Sequence, residues 1–144
     1  MSYKLLIAFI FLIIGMFLQL LLGETGGIWI NFTLAALVTA AFFLNFLELL
    51  ILILISIFVL NWQPAFSLEI ALYIILPLVV FVLHKFLPFK PWLGISAAII
   101  LSTLIFYLVI GPRFLVATPA VFLWDLVGGL TLGAAFFGVC EASA

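Results

Sequence analysis

Charged side chains are scarce in this sequence. Four Lys or Arg and five Asp or Glu make up 6% of its 144 residues, whereas 70% of the residues are hydrophobic. Soluble domains carry about 25% charged residues and about 45–50% apolar ones. So few polar side chains cannot cover the water-exposed surface of a globular protein of this length. The composition therefore predicts a protein whose outer surface is covered by lipid.

The sequence is also poor in the residues that enzyme and metal sites need. It has one histidine, His84, and one cysteine, Cys140, and a lone cysteine forms no internal disulfide. No G-x-S-x-G motif accompanies the histidine, and no second His, Cys or acid lies near it at the spacing of metal ligands. The net charge of −1 gives no basic surface for nucleic acid phosphates. We therefore expect no enzyme activity, no cofactor, no metal and no nucleic acid partner.

Polar and helix-breaking residues divide the apolar sequence into six segments. These are roughly 5–22, 28–44, 47–60, 70–87, 93–110 and 119–140. The first is longer than the apolar region of a signal peptide and no Ala-x-Ala site follows it, so we expect it to be retained. Because a transmembrane helix needs about 20 mainly apolar residues, the pattern predicts one all-α membrane-embedded domain over 1–144. Its expected architecture is a polytopic protein with six short transmembrane helices.

The boundary between the second and third segments rests on two residues. Only Asn45 and Glu48 interrupt the apolar stretch over 28–60. A single helix of that length would rise about 50 Å, well beyond the hydrocarbon core of about 30 Å. Asn is suited to end a helix and Glu to begin the next, so we predict a tight turn here. The third segment is then only about 21 Å long, which leaves five transmembrane helices as the alternative.

The few basic residues predict an orientation. With six spans, Lys4, Lys85 and Lys90 lie on one side of the membrane and Arg113 lies on the other. Cytoplasmic loops are enriched in Lys and Arg. We therefore expect a multi-pass protein of the plasma (inner) membrane with both termini in the cytoplasm. Its expected partners are the lipid bilayer and other membrane proteins that pack against its helices.

Asp125 is the first candidate for a functional residue because it lies inside the last apolar segment. A carboxylate within a membrane is costly unless it meets polar partners. At helical spacing it shares a face with Gly129 and Gly133, which form a GxxxG motif that allows two helix backbones to approach closely. Asp125 is therefore expected to face protein. It is a proton or substrate site, an anchor for a helix, or a carboxylate near the outer interface that is hydrated or capped by a neighbour. The motif favours packing within this chain over a dimer.

Two further polar residues complete the candidate site. Glu48 is explained by capping of the third segment, with a site role as the alternative. Asn31 lies within the second segment and marks an interior face. With Asp125 they are the polar groups that a substrate site in this protein would use. The cluster of His84, Lys85 and Lys90 is interpreted as interfacial, since lysines near helix ends place their charge at the headgroups.

The overall pattern resembles the rod-shape-determining protein D (MreD) family. Six short helices, a cytoplasmic amino terminus and minimal loops are similar to that family, and residues 27–34 (GIWINFTL) are similar to its short polar entry into the second helix. The chain departs from the family after the third helix, where 56–64 (SIFVLNWQP) replaces a stretch containing Gly and Asp. The resemblance implies a non-enzymatic scaffold that binds a single-pass partner and helps connect cytoplasmic filaments with wall synthases.

Two other functions fit the same composition. The helix count is similar to that of the small substrate-binding components of vitamin transporters, which would use Asp125, Glu48 and Asn31 as inward polar groups. A holin-like pore former would use Gly-lined helix contacts, although holins often carry charged tails that this chain lacks. A carrier would lose activity on Asp125→Asn, whereas a scaffold would tolerate that change unless Asp125 touches its partner.

Overall fold

The described residues of the computed structural model are 2–26, 31–60 and 67–143, without the side chains of 23–26 and 114. Over these ranges the protein consists of helices and contains no β-strand, so the predicted all-α class is confirmed. Their bounds are α1 Tyr3–Gly26, α2 Phe32–Ala40, α3 Phe46–Leu60, α4 Leu68–Leu83, α5 Pro91–Ile110, α6 Pro112–Ala117 and α7 Pro119–Ala142.

In the described part of the chain, three helices are long and apolar enough to cross a membrane. They comprise Tyr3–Leu22 of α1 together with the whole of α5 and α7. The apolar helices α3 and α4 are shorter, with 15 and 16 residues. The described helices are therefore consistent with a helical membrane protein.

Local sequence signals explain where several helices begin. Pro91 and Pro119 each occupy the first turn of a helix, where the missing N–H costs nothing. Ser67 caps α4 by accepting the backbone N–H of Ile70 at 3.4 Å. Glu48, in the first turn of α3, accepts the backbone N–H of Asn45 at 3.2 Å. The turn predicted between the second and third segments is thus confirmed.

Helix α2 lies at the centre of the molecule. It contacts α1, α3, α4, α5 and α7, and each of these five also contacts two of the others, in the ring order α1, α3, α4, α5, α7 and back to α1. Every residue of α2 is buried. The ring helices instead keep large apolar side chains on their outer faces, such as Phe17, Leu54, Val82, Leu101 and Val127. The central helix is therefore enclosed by the ring helices, whose outer faces present an exposed apolar surface.

The prediction of a helical span over 28–44 was wrong in its carboxyl-terminal part. Helix α2 ends at Ala40, and residues 41–45 form a turn. The amides of Phe42 and Phe43 donate to the carbonyls three residues earlier, at 3.1 and 3.0 Å, which tightens the end of the helix. With nine residues, α2 is about 14 Å long and does not cross a bilayer by itself. Ala41 and Leu44 of this turn are buried and Phe42 and Phe43 are half-buried, so most of its apolar side chains pack against protein.

Smaller differences occur at other boundaries. Helix α1 continues to Gly26 through a predicted break, α4 ends at Leu83, and the short helix α6 occupies the predicted break between Gly111 and Pro119. Residues 27–30 and 61–66 lie outside the described residues. They include the beginning of the second predicted segment and most of the predicted break at 61–69.

The helices alternate between two ends of the bundle. The first, called the amino-terminal end, is defined by contacts among the starts of α1, α3 and α5 and the ends of α4 and α7. There the Ser2 hydroxyl donates to Glu48 at 2.7 Å, and the ring centroids of Trp92 and Phe137 lie 5.8 Å apart. The opposite end holds Ser67, α6 and the start of α7. The central helix begins near the opposite end and runs toward the amino-terminal end.

Candidate functional site

The carboxylate of Asp125 is buried inside the bundle and uses both of its oxygens. Its side chain is 2% exposed. Oδ1 accepts the backbone N–H of Asn31 and Oδ2 accepts the hydroxyl of Tyr107, each at 2.8 Å. Both donors are neutral groups. A hydrogen bond to a charged group contributes about 1.5–3 kcal/mol, so two of them offset an insertion cost of about 2.5–3.5 kcal/mol.

Asp125 and Gln19 together cap the start of α2. Asn31 is the N-cap residue of this helix, and its side chain makes no capping hydrogen bond. Its N–H is instead bound by Asp125, while the N–H of Thr33 donates to Oε1 of Gln19 at 3.1 Å. The first N–H groups of a helix lack intrahelical partners, and its positive dipole end favours a carboxylate. Side chains of α7 and α1 therefore supply the cap that the local sequence of α2 does not.

Tyr73 of α4 connects these two caps. Its hydroxyl accepts Nε2 of Gln19 at 3.3 Å and donates to Oδ1 of Asn31. Gln19, Asn31, Tyr73, Tyr107 and Asp125 thus form one hydrogen-bonded cluster, called here the polar network. Its members come from α1, the start of α2, α4, α5 and α7. Hydrogen bonds therefore join the central helix directly or through one side chain to four of the five ring helices.

Gly129 and Gly133 allow α7 to approach its neighbours closely enough for this arrangement. A Cβ atom at Gly129 would lie 3.3 Å from Cβ of Ala35 and 3.3 Å from a side-chain carbon of Ile99. A Cβ atom at Gly133 would lie 2.5 Å from Cδ1 of Ile99. The GxxxG motif therefore packs within the chain, against α2 and α5. This close packing lies one and two turns from Asp125 on the same face of α7.

Glu48 lies apart from the polar network. It sits at the amino-terminal end, where it binds the Ser2 hydroxyl and the N–H of Asn45. Its role in the fold is to cap α3 and to tie the start of α1 to it. Of the predicted site residues, the structure brings together Asn31, Asp125, Gly129 and Gly133 and leaves Glu48 outside.

A small cavity adjoins the polar network at Tyr73. It has a volume of about 70 Å³ and lies between the end of α3 and the start of α4. Its lining residues are Ser56, Ile57, Leu60, Ser67, Glu69, Ile70 and Tyr73. This volume admits a few water molecules and is far below the roughly 300–1,000 Å³ of sites for drug-sized ligands.

For Gln19, a polar residue within a predicted span, the sequence predicts a hydrogen bond to a neighbouring helix or to its own backbone. Sequence reasoning missed two other members of the polar network, Tyr73 and Tyr107. Both lie within apolar helices, where a buried tyrosine hydroxyl needs a hydrogen-bond partner. That requirement is the signal that could have pointed to them. Over the ranges that the structure describes, no three His, Cys, Asp or Glu side chains come together as a metal site would require.

Comparison of the chain with models of known protein families, with curated proteins and with solved structures gave no match. The resemblance to the MreD family stays a prediction from the sequence pattern. The side chains of the polar network hydrogen-bond to one another and thereby join the helices. A carboxylate held at both oxygens by neutral donors is suited to fixing helix positions.

Proposed function

We propose that this chain is a non-enzymatic membrane scaffold with an MreD-like role in the machinery that elongates the bacterial cell wall. The observation that carries the proposal is the engagement of both oxygens of Asp125 by the chain itself. A scaffold needs an outer surface of fixed shape. Hydrogen bonds between the central helix and the surrounding ring favour such a surface.

A substrate carrier would use the same polar groups differently. Its buried polar atoms would be left for the substrate, and its cavity would match the substrate in size. In this chain Asp125 and Asn31 bind each other, and the cavity that adjoins their network at Tyr73 has about 70 Å³, which is too small for a vitamin. A larger hollow of about 450 Å³, lined by Pro112, Arg113, Val116 and Ala117, includes neither of these polar groups. These two features favour the scaffold over a vitamin-binding component.

The proposed topology has six membrane-embedded segments, with α2 enclosed by the five ring helices. Helices α3 and α4 rise about 22–24 Å, and a hydrophobic segment of that length is accommodated by local thinning of the bilayer. Lys4, Lys85 and Lys90 all belong to the amino-terminal end, whereas Arg113 lies in α6 at the opposite end. We assign the amino-terminal end to the cytoplasm and the protein to the plasma membrane, because cytoplasmic loops collect basic residues.

A second candidate function is the movement of a proton or a small ion. The cavity of about 70 Å³ supports it, because it admits water and reaches Tyr73 of the polar network. A carrier of this kind must release the bonds of Asp125 during its cycle. The two functions therefore differ in whether α2 and α7 have to separate.

A disulfide between α2 and α7 distinguishes the two functions. Ala35 and Gly129 lie one turn beyond Asn31 and Asp125, and a Cβ at Gly129 would lie 3.3 Å from that of Ala35. Disulfides join Cβ atoms about 3.5–4.5 Å apart, so the pair Ala35→Cys and Gly129→Cys requires the two helices to move apart by a few tenths of an ångström. The single Gly129→Cys control measures the cost of the added Cβ against Ile99. The background carries Cys140→Ala to prevent mispairing. The oxidised pair would hold the start of α2 against Asp125.

The locked protein is then tested in its own host after deletion of the chromosomal gene. The scaffold predicts that cell shape and width are restored equally by the oxidised pair, the reduced pair and the two single-cysteine controls. Activity in both single-cysteine controls with loss only on oxidation would contradict the scaffold and support the carrier. If cell shape is the same in the deletion strain and in the complemented strain, the MreD-like role is rejected.

A further inference from the structure

The loop between α4 and α5, residues 84–90, combines exposed lysines with exposed apolar side chains. Lys85 and Lys90 are exposed, and the loop contains no acidic residue. Between the lysines, Phe86 is 78% exposed and Phe89 is 57% exposed. Exposed phenylalanines beside lysines are suited to the interface between acyl chains and headgroups. There the rings can lie among acyl chains while the ammonium groups lie among the headgroups.

The side chain of Lys85 lies beside the last turn of α4, against an aromatic ring of that helix. Its ammonium lies 4.3 Å from the centre of the Phe81 ring, one turn back along α4. His84 packs against the same ring and against Phe42, with ring centroids 5.8 and 5.0 Å apart. The aromatic contacts therefore hold the end of α4 firmly under the loop. A lysine at the end of an apolar helix places its ammonium at the level of the headgroups, where it can bind a lipid phosphate.

The loop is continuous with the lipid-facing surface of the helices that flank it. Val82 and Leu83 at the end of α4 are 54% and 51% exposed, and Leu93 at the start of α5 is 55% exposed. Acyl chains that cover these side chains bring their headgroups to the level of the loop. The occupant that matches both the apolar surface and the two positive charges is therefore a phospholipid with a net negative charge.

We propose that residues 84–90 form a selective binding site for anionic phospholipids at the amino-terminal end of the bundle. The inference rests on the proposed insertion of the chain into a membrane and is independent of its role as a scaffold. Phe86, Leu87 and Phe89 enter the boundary of the acyl chains, while Lys85 and Lys90 bind phosphate oxygens. Each lysine near an anionic surface is expected to strengthen binding about fivefold.

The test uses fluorescence of Trp92, which lies two residues after Lys90. The full-length chain with Trp29, Trp62 and Trp124 replaced by Phe is reconstituted in vesicles that contain brominated phosphatidylglycerol or brominated phosphatidylcholine. Bromine quenches tryptophan at close range, so quenching at a low fraction of brominated lipid reports which lipid occupies the site. We expect stronger quenching by the brominated phosphatidylglycerol. Added salt should weaken that preference.

Two variants separate the loop from the general charge of the protein. The double variant Lys85→Gln with Lys90→Gln should remove the preference for phosphatidylglycerol. If the two lysines act independently, binding of phosphatidylglycerol should weaken by up to about 25-fold. Lys4→Gln is the matched control, because Lys4 belongs to α1, which does not neighbour α4 or α5 in the ring. This control should keep the preference.

Three results would overturn the inference. Equal quenching by the two lipids in the parent protein would exclude selectivity and favour an acidic protein segment as the occupant. An unchanged preference in the double variant would place the selectivity elsewhere. Release of the chain from vesicles by an alkaline wash would reject membrane insertion, which separates failure of the proposed topology from failure of this site.

Discussion

The carboxylate of Asp125 accepts the backbone N–H of Asn31 at 2.8 Å, across 94 positions of sequence. One end of this bond belongs to a helix enclosed by the rest of the protein, and the other belongs to a ring helix. One hydrogen bond therefore satisfies both groups, because a carboxylate in an apolar bundle needs a donor and the start of α2 needs an acceptor.

Replacing Asp125 tests the energetic part of this relationship. Asp125→Ala leaves the N–H of Asn31 and the hydroxyl of Tyr107 without acceptors, and should lower the free energy of unfolding by about 3 kcal/mol or more. Asp125→Asn keeps one acceptor oxygen and should cost about half as much. Unfolding by sodium dodecyl sulfate in mixed micelles measures both. Val127→Ala, an exposed change on the same helix, is the control, and an equal loss in all three variants would contradict the role of the carboxylate.

The two glycines on opposite faces of α7 give a matched pair. Gly133→Ala would place its Cβ 2.5 Å from Cδ1 of Ile99 and should destabilise the protein by about 1–3 kcal/mol. Gly138 has no atom within 4 Å of the corresponding position, so Gly138→Ala should be neutral or stabilising by up to about 1 kcal/mol. Melting temperatures in detergent compare them.

A second substitution tests the cause of the Gly133 effect. Ile99→Val removes the Cδ1 atom, so Ile99→Val combined with Gly133→Ala should cost less than the sum of the single changes, by about 1 kcal/mol. Strict additivity would show that this contact is not the origin of the loss.

Two buried threonines of α2 differ in their hydrogen bonds. The hydroxyl of Thr39 donates to the carbonyl of Ala35 at 2.8 Å, whereas that of Thr33 has no hydrogen-bond partner in the part of the chain that the structure describes. An unpaired buried hydroxyl costs about 1–3 kcal/mol. Thr33→Val should therefore stabilise the protein, and Thr39→Val should be neutral or slightly destabilising. Thermal unfolding of the two variants in parallel tests this expectation. Greater stabilisation by Thr39→Val than by Thr33→Val would contradict the assignment of the unpaired hydroxyl to Thr33.

The predictable part of the fold came from local pattern. Apolar segments and their breaks located six of the seven described helices, although α2 is shorter than predicted and α6 lies in a predicted break. Asn45 and Glu48 located a turn, and helical spacing placed Asp125 on the face of Gly129 and Gly133. Each of these inferences depends only on residues close in sequence. The rules of helix periodicity and capping are sufficient for them.

The enclosed position of α2 could not be read in the same way. A helix that is apolar on all sides is equally suited to lipid and to the interior of a protein. The partners of Tyr73 and Tyr107 are likewise chosen by the packing of helices distant in sequence. Helical spacing identifies neighbours within a helix, and one sequence carries no direct signal for contacts between helices.

The place of α2 inside the ring bears on how the chain is assembled during synthesis. Its start emerges early, but the carboxylate that binds it lies 94 positions later, in α7, so the acceptor for Asn31 arrives only after the other four ring helices have been made. Until then the ring has an open side between α1 and α5, and the positive end of the enclosed helix has no anionic partner. Docking of α7 is thus the step that closes the ring, and a polypeptide truncated before it would have an unfinished bundle.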